Sequence, residues 1–134
     1  MSLIDNIKIS EGYRSRPYRC TENHLTVGYG FAIKDLELDE DICDMILERK
    51  VAKLVERLES NLPYLPSLPK EVQDVLIEMA YQMGVSGLLK FKKTLMYIET
   101  KDYKDASVEM LDSRWAKQTP NRAKKLSDIM AIAG

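Results

Sequence analysis

Leu3, Ile4 and Ile7 recur at helical spacing and predict a short helix from Ser2 to about Ser10. Glu11-Gly12 ends it, since glycine accepts the left-handed conformation just past a helix end. The pattern then changes. Residues 17–21 and 25–30 read as two strands joined at Glu22-Asn23-His24. A turn centred near Asn23 places Cys20 opposite Thr26. Residues 35–40 are a polar connection, with Asp39 the N-cap of a long helix running to about Glu59. Ile42, Met45, Ile46, Val51, Leu54, Val55 and Leu58 form one stripe of that helix, which reads as core-facing. Pro63, Pro66 and Pro69 forbid a continuous helix, so residues 61–69 form a loop. Ser67 is expected to cap the next helix. Val72, Val75, Leu76, Met79, Ala80 and Met83 stripe that helix, and Gly84 ends it. Val85-Ser86-Gly87 reads as a turn. Phe91, Leu95, Met96 and Ile98 mark a further helix, and residues 103–111 another. Thr119-Pro120 supplies N-cap and first turn of a final helix from Asn121 to about Met130.

Composition narrows the class. The 134 residues are 45% hydrophobic and 31% charged, as in an ordinary globular domain with a real core. The net charge of −1 gives no global field for a polyanion. The charge is uneven, however. Arg14, Arg16 and Arg19 cluster in the hairpin; Arg114, Lys117, Arg122, Lys124 and Lys125 cluster near the C-terminus; acid concentrates between Asp35 and Glu59. These are either solvated faces or a local basic cleft. Two cysteines, Cys20 and Cys43, are too sparse for a disulfide scaffold. The first residues show no basic stretch followed by an apolar run, so synthesis in a cytoplasm without a cleavable signal is expected. No stretch approaches the ~20 apolar residues of a membrane span, so no stable membrane insertion is expected.

Several chemistries find little support. His24 has no second histidine nearby and no Cys-x-x-Cys accompanies it, so neither a metal site nor a histidine-based triad is expected. Gly28-Tyr29-Gly30 lacks the third glycine and the helix start of a phosphate loop. No nucleic-acid module accompanies the C-terminal basic residues. No cofactor is implied.

Glu11 is the first chemical candidate. The C-terminal end of a helix dipole, together with any desolvation by apolar walls, favours the neutral carboxyl that a general acid needs. Cys20 and Thr26, as cross-strand partners, would share one small site. Gly28 and Gly30 remove side chains where a ligand approaches the backbone.

These residues carry a resemblance. Glu11-Gly12, then Cys20-Thr21-Glu22, then Thr26-Val27-Gly28-Tyr29-Gly30 resembles the signature of the phage-type, T4-like lysozymes: E-G, a strand ending in D-x-x-G or D-T-E-G, then T-[IV]-G-[YI]-G-H. The spacing matches without gaps. Two positions depart from it, since Cys20 stands where the family has aspartate and Phe31 where it has histidine. Residues 113–123, S-R-W-x-x-Q-T-P-x-R-A, are the second and more specific anchor. Residues 78–84 resemble the family's N-M-x-[FY]-Q-M-G helix. The short stretch between Phe31 and the long helix is that of a compact member.

The resemblance implies an α+β, lysozyme-like fold in a single domain. A small lobe with a β-hairpin (about 13–40) is joined by a linking helix (about 40–59) to a helical large lobe (about 67–134 plus the N-terminal helix), with the substrate cleft between lobes. It implies a muramidase, an endolysin-type glycoside hydrolase that cleaves the β-1,4 bond between N-acetylmuramic acid and N-acetylglucosamine. The partner is bacterial peptidoglycan, reached after release by a holin-like agent, and the enzyme is a monomer. Glu11 is the acid. In the family an aspartate and the threonine at Thr26 position a water on the opposite face of the sugar, with inversion. Substrate contacts are implied at Gly30, Ala32, Tyr81, Thr94 and Glu109. Arg122 is implied to reach Glu11. Trp115 reads as a core aromatic.

Cys20 leaves the second catalytic role open. It is a thiolate base or nucleophile, activated by Arg19 or Arg14; or Glu22 takes its place; or turnover is poor. The other function class is a catalytically weak or inactive lysozyme fold that binds peptidoglycan.

Overall fold

The computed structural model describes residues 2–134 and divides into two units, one through Asp44 and the other from Met45 to Gly134. The first opens with α1 (Leu3–Glu11). Ser2 Oγ accepts the Asp5 N–H at 3.1 Å and the Asp5 carboxylate accepts the Ser2 N–H at 3.4 Å, a reciprocal cap of the helix start. At the other end Gly12 (φ 72°) donates its N–H to the Lys8 carbonyl at 2.8 Å. Leu3, Ile4 and Ile7 are exposed.

Three antiparallel strands follow in the order β1 (Arg14–Arg19), β2 (Leu25–Gly28) and β3 (Phe31–Ala32). The pattern anticipated the hairpin but not β3, which is two residues long. The pairing departs from the expectation by two residues, which moves the turn centre by one and leaves the faces unchanged. Tyr18 pairs with Thr26 and Arg19 with Leu25, so the turn centres on Glu22. Cys20 therefore lies opposite His24, whose carbonyl accepts the Cys20 N–H at 2.9 Å. The physical reason is Asn23. Its left-handed backbone (φ 63°) lets its N–H close back onto the Cys20 carbonyl at 2.8 Å. On the other side of β2, Thr26 pairs with Ala32 and Val27 with Phe31. Tyr13, Tyr29 and Phe31 stack in series, with ring centroids 5.5 and 6.3 Å apart.

The long helix α2 (Glu40–Asn61) joins this sheet lobe to the helical one. Its stripe is core-facing only in the last turns. Leu58 is buried and Leu54 packs against the core, whereas Ile42, Met45 and Ile46 are exposed. The helical unit continues through α3 (Lys70–Leu89), α4 (Lys92–Glu99), α5 (Tyr103–Leu111), α6 (Arg114–Gln118) and α7 (Pro120–Ala131). α7 packs on α3, α5 and α6, and α4 packs on α5. Their apolar faces meet in one core built on Val72, Leu76, Met79, Leu88, Ile98, Met110, Leu126 and Met130.

Two local expectations are corrected. Ser67 does not cap α3: its hydroxyl donates to the Tyr64 carbonyl at 2.7 Å, and the helix begins after Pro69 with no side-chain cap. The Gln73 side chain instead reaches back to the Leu68 carbonyl at 2.8 Å. Gly84 (φ 82°, ψ 160°) breaks helical geometry as expected, but the chain resumes helix at once, so residues 85–87 are not a turn.

Trp115 is buried in this core, edge-on to Phe91 at 6.0 Å. Its indole N–H donates to Gln82 Oε1 at 2.8 Å. Gln82 Nε2 lies 3.5 Å from the Thr119 hydroxyl, which donates to the Trp115 carbonyl at 2.9 Å. The loop links α3 to the start of α7. Trp115→Phe keeps most of the ring but orphans Gln82 Oε1, so a loss of ~1–3 kcal/mol is expected. Urea denaturation checks this; an unchanged midpoint at equal slope would show that the bond adds nothing.

Candidate active site

Glu11 is the last residue of α1, followed by Gly12 at positive φ. It is exposed, so the apolar walls that would have desolvated it are not part of its surroundings in this lobe. Its carboxyl lies against Gly30. A Cβ built on Gly30 would come within 3.0 Å of the Glu11 carboxyl carbon and closer still to Oε2. Gly30 also has φ 74°, a backbone that side-chain-bearing residues rarely adopt. The backbone favours glycine here, the close contact falls on the movable end of the Glu11 side chain, and the two predicted residues Glu11 and Gly30 come together.

Cys20 and Thr26 are brought together too, by a different geometry from the one expected. They are diagonal neighbours across the hairpin. Thr26 is buried and donates its hydroxyl to the His24 carbonyl at 2.9 Å. The Cys20 thiol is free and half-exposed, and it is held below its ordinary value. Backbone hydrogen bonding at His24 is the main cause, followed by that at Glu22, with the Thr26 hydroxyl adding to them. Partial burial and the Glu22 charge oppose the shift. The arginines expected to do this work do not. Arg14 stacks on the Tyr18 ring at 4.7 Å, and Arg19 donates to the Asn23 carbonyl at 3.3 Å. Glu22 sits in the turn, not on a strand face shared with Cys20. Ala32 is half-buried beside Thr26 across the β2–β3 pair.

In the helical unit, Thr94 and Glu109 line one cleft of about 340 Å3 with Phe91, Lys93, Asp112 and Ser113. Lys90 and Lys92 complete its wall. This run of lysines is visible in the sequence as Lys90-Phe91-Lys92-Lys93, yet nothing in its pattern distinguishes it from a solvated helix end. Thr94 is buried at the base, while Tyr81 is exposed on α3 and is not among the lining residues. The partner that Arg122 engages is Glu78, Nε to Oε2 at 2.9 Å, with both side chains more than a third exposed. Glu78 was legible as a departure, since it stands where the resembled motif has asparagine. Among the described residues, no group of three His, Cys, Asp or Glu is placed to hold a metal, and no helix is long and apolar enough to cross a membrane.

Chemically, the sheet lobe offers a carboxyl at a helix end and a free thiol beside a buried hydroxyl. The family model for phage lysozyme matches residues 8–129. "Probable T4-type lysozyme 1" of Dictyostelium discoideum is 29% identical, over 96% of this chain and 93% of its own length. "Probable T4-type lysozyme 2" of the same organism is 26% identical, over 96% and 92%. The pre-baseplate central spike protein Gp5 of Enterobacteria phage T4 is 25% identical over 97% of this chain, which spans 28% of that longer protein. A match of this extent, carrying Glu11, Thr26 and the residues 113–123 string within it, places the chain in the phage lysozyme family.

Proposed function

We propose that the protein is a muramidase that hydrolyses the β-1,4 bond between N-acetylmuramic acid and N-acetylglucosamine in peptidoglycan. The observation that carries this reading is the Glu11 carboxyl, set at the end of α1 against Gly30. Glu11 protonates the glycosidic oxygen of the leaving sugar. Thr26 and the Cys20 thiolate act on the other face of the ring, where the family's aspartate and threonine position a water. Gly30 and Ala32 give backbone contacts to the sugar. The cleft at Thr94 and Glu109 receives saccharide hydroxyls, and Tyr81 offers an apolar ring face. Arg122 is paired with Glu78 within the helical unit. Family membership and the lysozyme names of the two Dictyostelium relatives support the assignment. The wall is reached after release from the cell that makes the protein.

The test is release of soluble fragments with new reducing N-acetylmuramic acid ends from purified peptidoglycan. Their appearance establishes the activity; no release at any enzyme level overturns it. Cys20 in place of aspartate favours a second reading, a lysozyme fold that binds peptidoglycan without cleaving it. That reading requires retained pelleting with peptidoglycan and no new reducing ends.

Gly30→Ala tests positioning, with a thermal melt recording separately the strain of a side chain at φ 74°. The methyl group displaces the Glu11 carboxyl, and a misplacement of ~1 Å can cost ~10²-fold in rate. The expected result is a large loss of bond cleavage with a circular dichroism spectrum like that of the parent. Equal rates would show that Glu11 acts from another position.

A further inference from the structure

We propose that a pocket beside the β-hairpin, with Arg19, His24 and Lys34 in its lining, binds a phosphate ester group. Register places it. Arg19 and Leu25 pair across the strands next to the Tyr18–Thr26 pair. Successive side chains in a strand point to opposite faces, so Arg19 and Leu25 lie on the side away from Thr26. The pocket holds about 370 Å3 and is lined by Arg19, Asn23, His24, Leu25, Ile33 and Lys34. Every residue belongs to the sheet lobe, and His24 alone also serves the Cys20 and Thr26 group, through its backbone carbonyl.

Its chemistry is one-sided. Arg19, Lys34 and His24 are among the lining residues, and no carboxylate is. The chain as a whole has a net charge of −1, so this is a local concentration of positive charge. Among the described residues, the ion pairs are Lys70–Asp74, Arg122–Glu78 and Lys124–Asp128, which leaves Arg19 and Lys34 without a carboxylate partner. Arg19 is also held in place, since one of its terminal nitrogens donates to the Asn23 carbonyl at 3.3 Å. That leaves its remaining N–H groups for a ligand. Leu25 and Ile33 give the pocket an apolar side.

A phosphate ester fits this set better than a carboxylate. Its tetrahedral oxygens accept from donors arriving in several directions, as a guanidinium, an ammonium and an imidazole on different segments would. A carboxylate is planar and is satisfied by one guanidinium fork. The carbon chain of the ester would lie on Leu25 and Ile33. The role in wall recognition rests on the muramidase reading, because wall polymers and anionic lipid headgroups both carry this group. The binding itself does not rest on it.

The experiment is a titration of the 15N-labelled protein with glycerol 3-phosphate, read by NMR at the backbone amides of Asn23, His24, Leu25, Ile33 and Lys34. Saturable shifts confined to these amides are expected, with affinity falling as salt rises. Replacing both cations, Arg19→Gln with Lys34→Gln, should weaken binding roughly tenfold or more. Lys34→Gln alone, at an exposed site outside the strands, should weaken it in the same direction and serves if the double variant is misfolded. Equal shifts with inorganic phosphate would assign the site to the free anion. Sedimentation with phosphatidylglycerol vesicles, but not phosphatidylcholine vesicles, would assign it to a lipid headgroup. Absent shifts, equal shifts with acetate, or binding unaffected by the substitutions would overturn the proposal. No bond is cleaved in this assay, so its outcome is independent of whether peptidoglycan is hydrolysed.

Discussion

Glu11→Gln is expected to lower release of reducing N-acetylmuramic acid ends from peptidoglycan by ~10²–10⁴-fold, the usual worth of a positioned general acid. The substitution keeps the size and planarity of the side chain, so the group still fits against Gly30. It removes only the transferable proton. An amide cannot protonate the departing glycosidic oxygen, and no other carboxyl is fixed at the end of α1. The fold should be indifferent. Glu11 is exposed, and neither the ion pairs nor the side-chain hydrogen bonds among the described residues use its carboxyl. Exposed positions of this kind change stability by no more than about 0.5 kcal/mol. Thermal melting of the two proteins should therefore coincide while their rates separate. A rate within threefold of the parent would remove Glu11 from the chemistry. A lowered melting point would assign it a structural role instead.

Much of this arrangement was legible in the sequence because it depends on local rules. Gly12 ends α1 because a left-handed residue is needed there. The hairpin, the long helix and the final helix follow from period and turn chemistry. Other features depend on which competing interaction wins. Asn23 takes the left-handed turn position and shifts the pairing by two residues, a difference that alternation alone does not decide because it leaves the faces unchanged. Ser67 has both the residue type and the spacing of a cap, yet its hydroxyl finds the Tyr64 carbonyl first. Ile42 and Met45 lie on the same stripe as Leu58, but a stripe does not record where along its length the packing begins. In the site, charge suggested arginines as the activators of Cys20. Hydrogen bonding from the turn backbone does that work, and it could not be read before the turn was known.

That last difference sets up the second large effect. With the thiol held low by the backbone at His24 and Glu22, Cys20 carries more thiolate at neutral pH than a free cysteine, which has only a few per cent. A thiolate is both a base and a negative charge facing an oxocarbenium-like transition state. Cys20→Ser keeps the shape but cannot ionise in this range, so a loss of at least ~10-fold is expected. Cys20→Asp supplies a permanent charge and should match or exceed the parent. The sign of the pH effect is fixed by the direction of the shift. A lowered thiol pKa moves the thiolate-dependent limb to lower pH, so rate should rise with pH to a midpoint below that of free cysteine. Iodoacetamide alkylation of Cys20, followed by mass spectrometry, should report the same midpoint. Thr26→Val removes one of the stabilising hydrogen bonds and should move that midpoint upward. If Cys20→Ser proceeds at the parental rate, sulfur is not the second group. Glu22→Gln then becomes decisive, because Glu22 is the other ionisable side chain whose charge reaches that thiol. Loss of activity in Glu22→Gln, with Cys20→Ser unaffected, would move the role from the strand end to the turn.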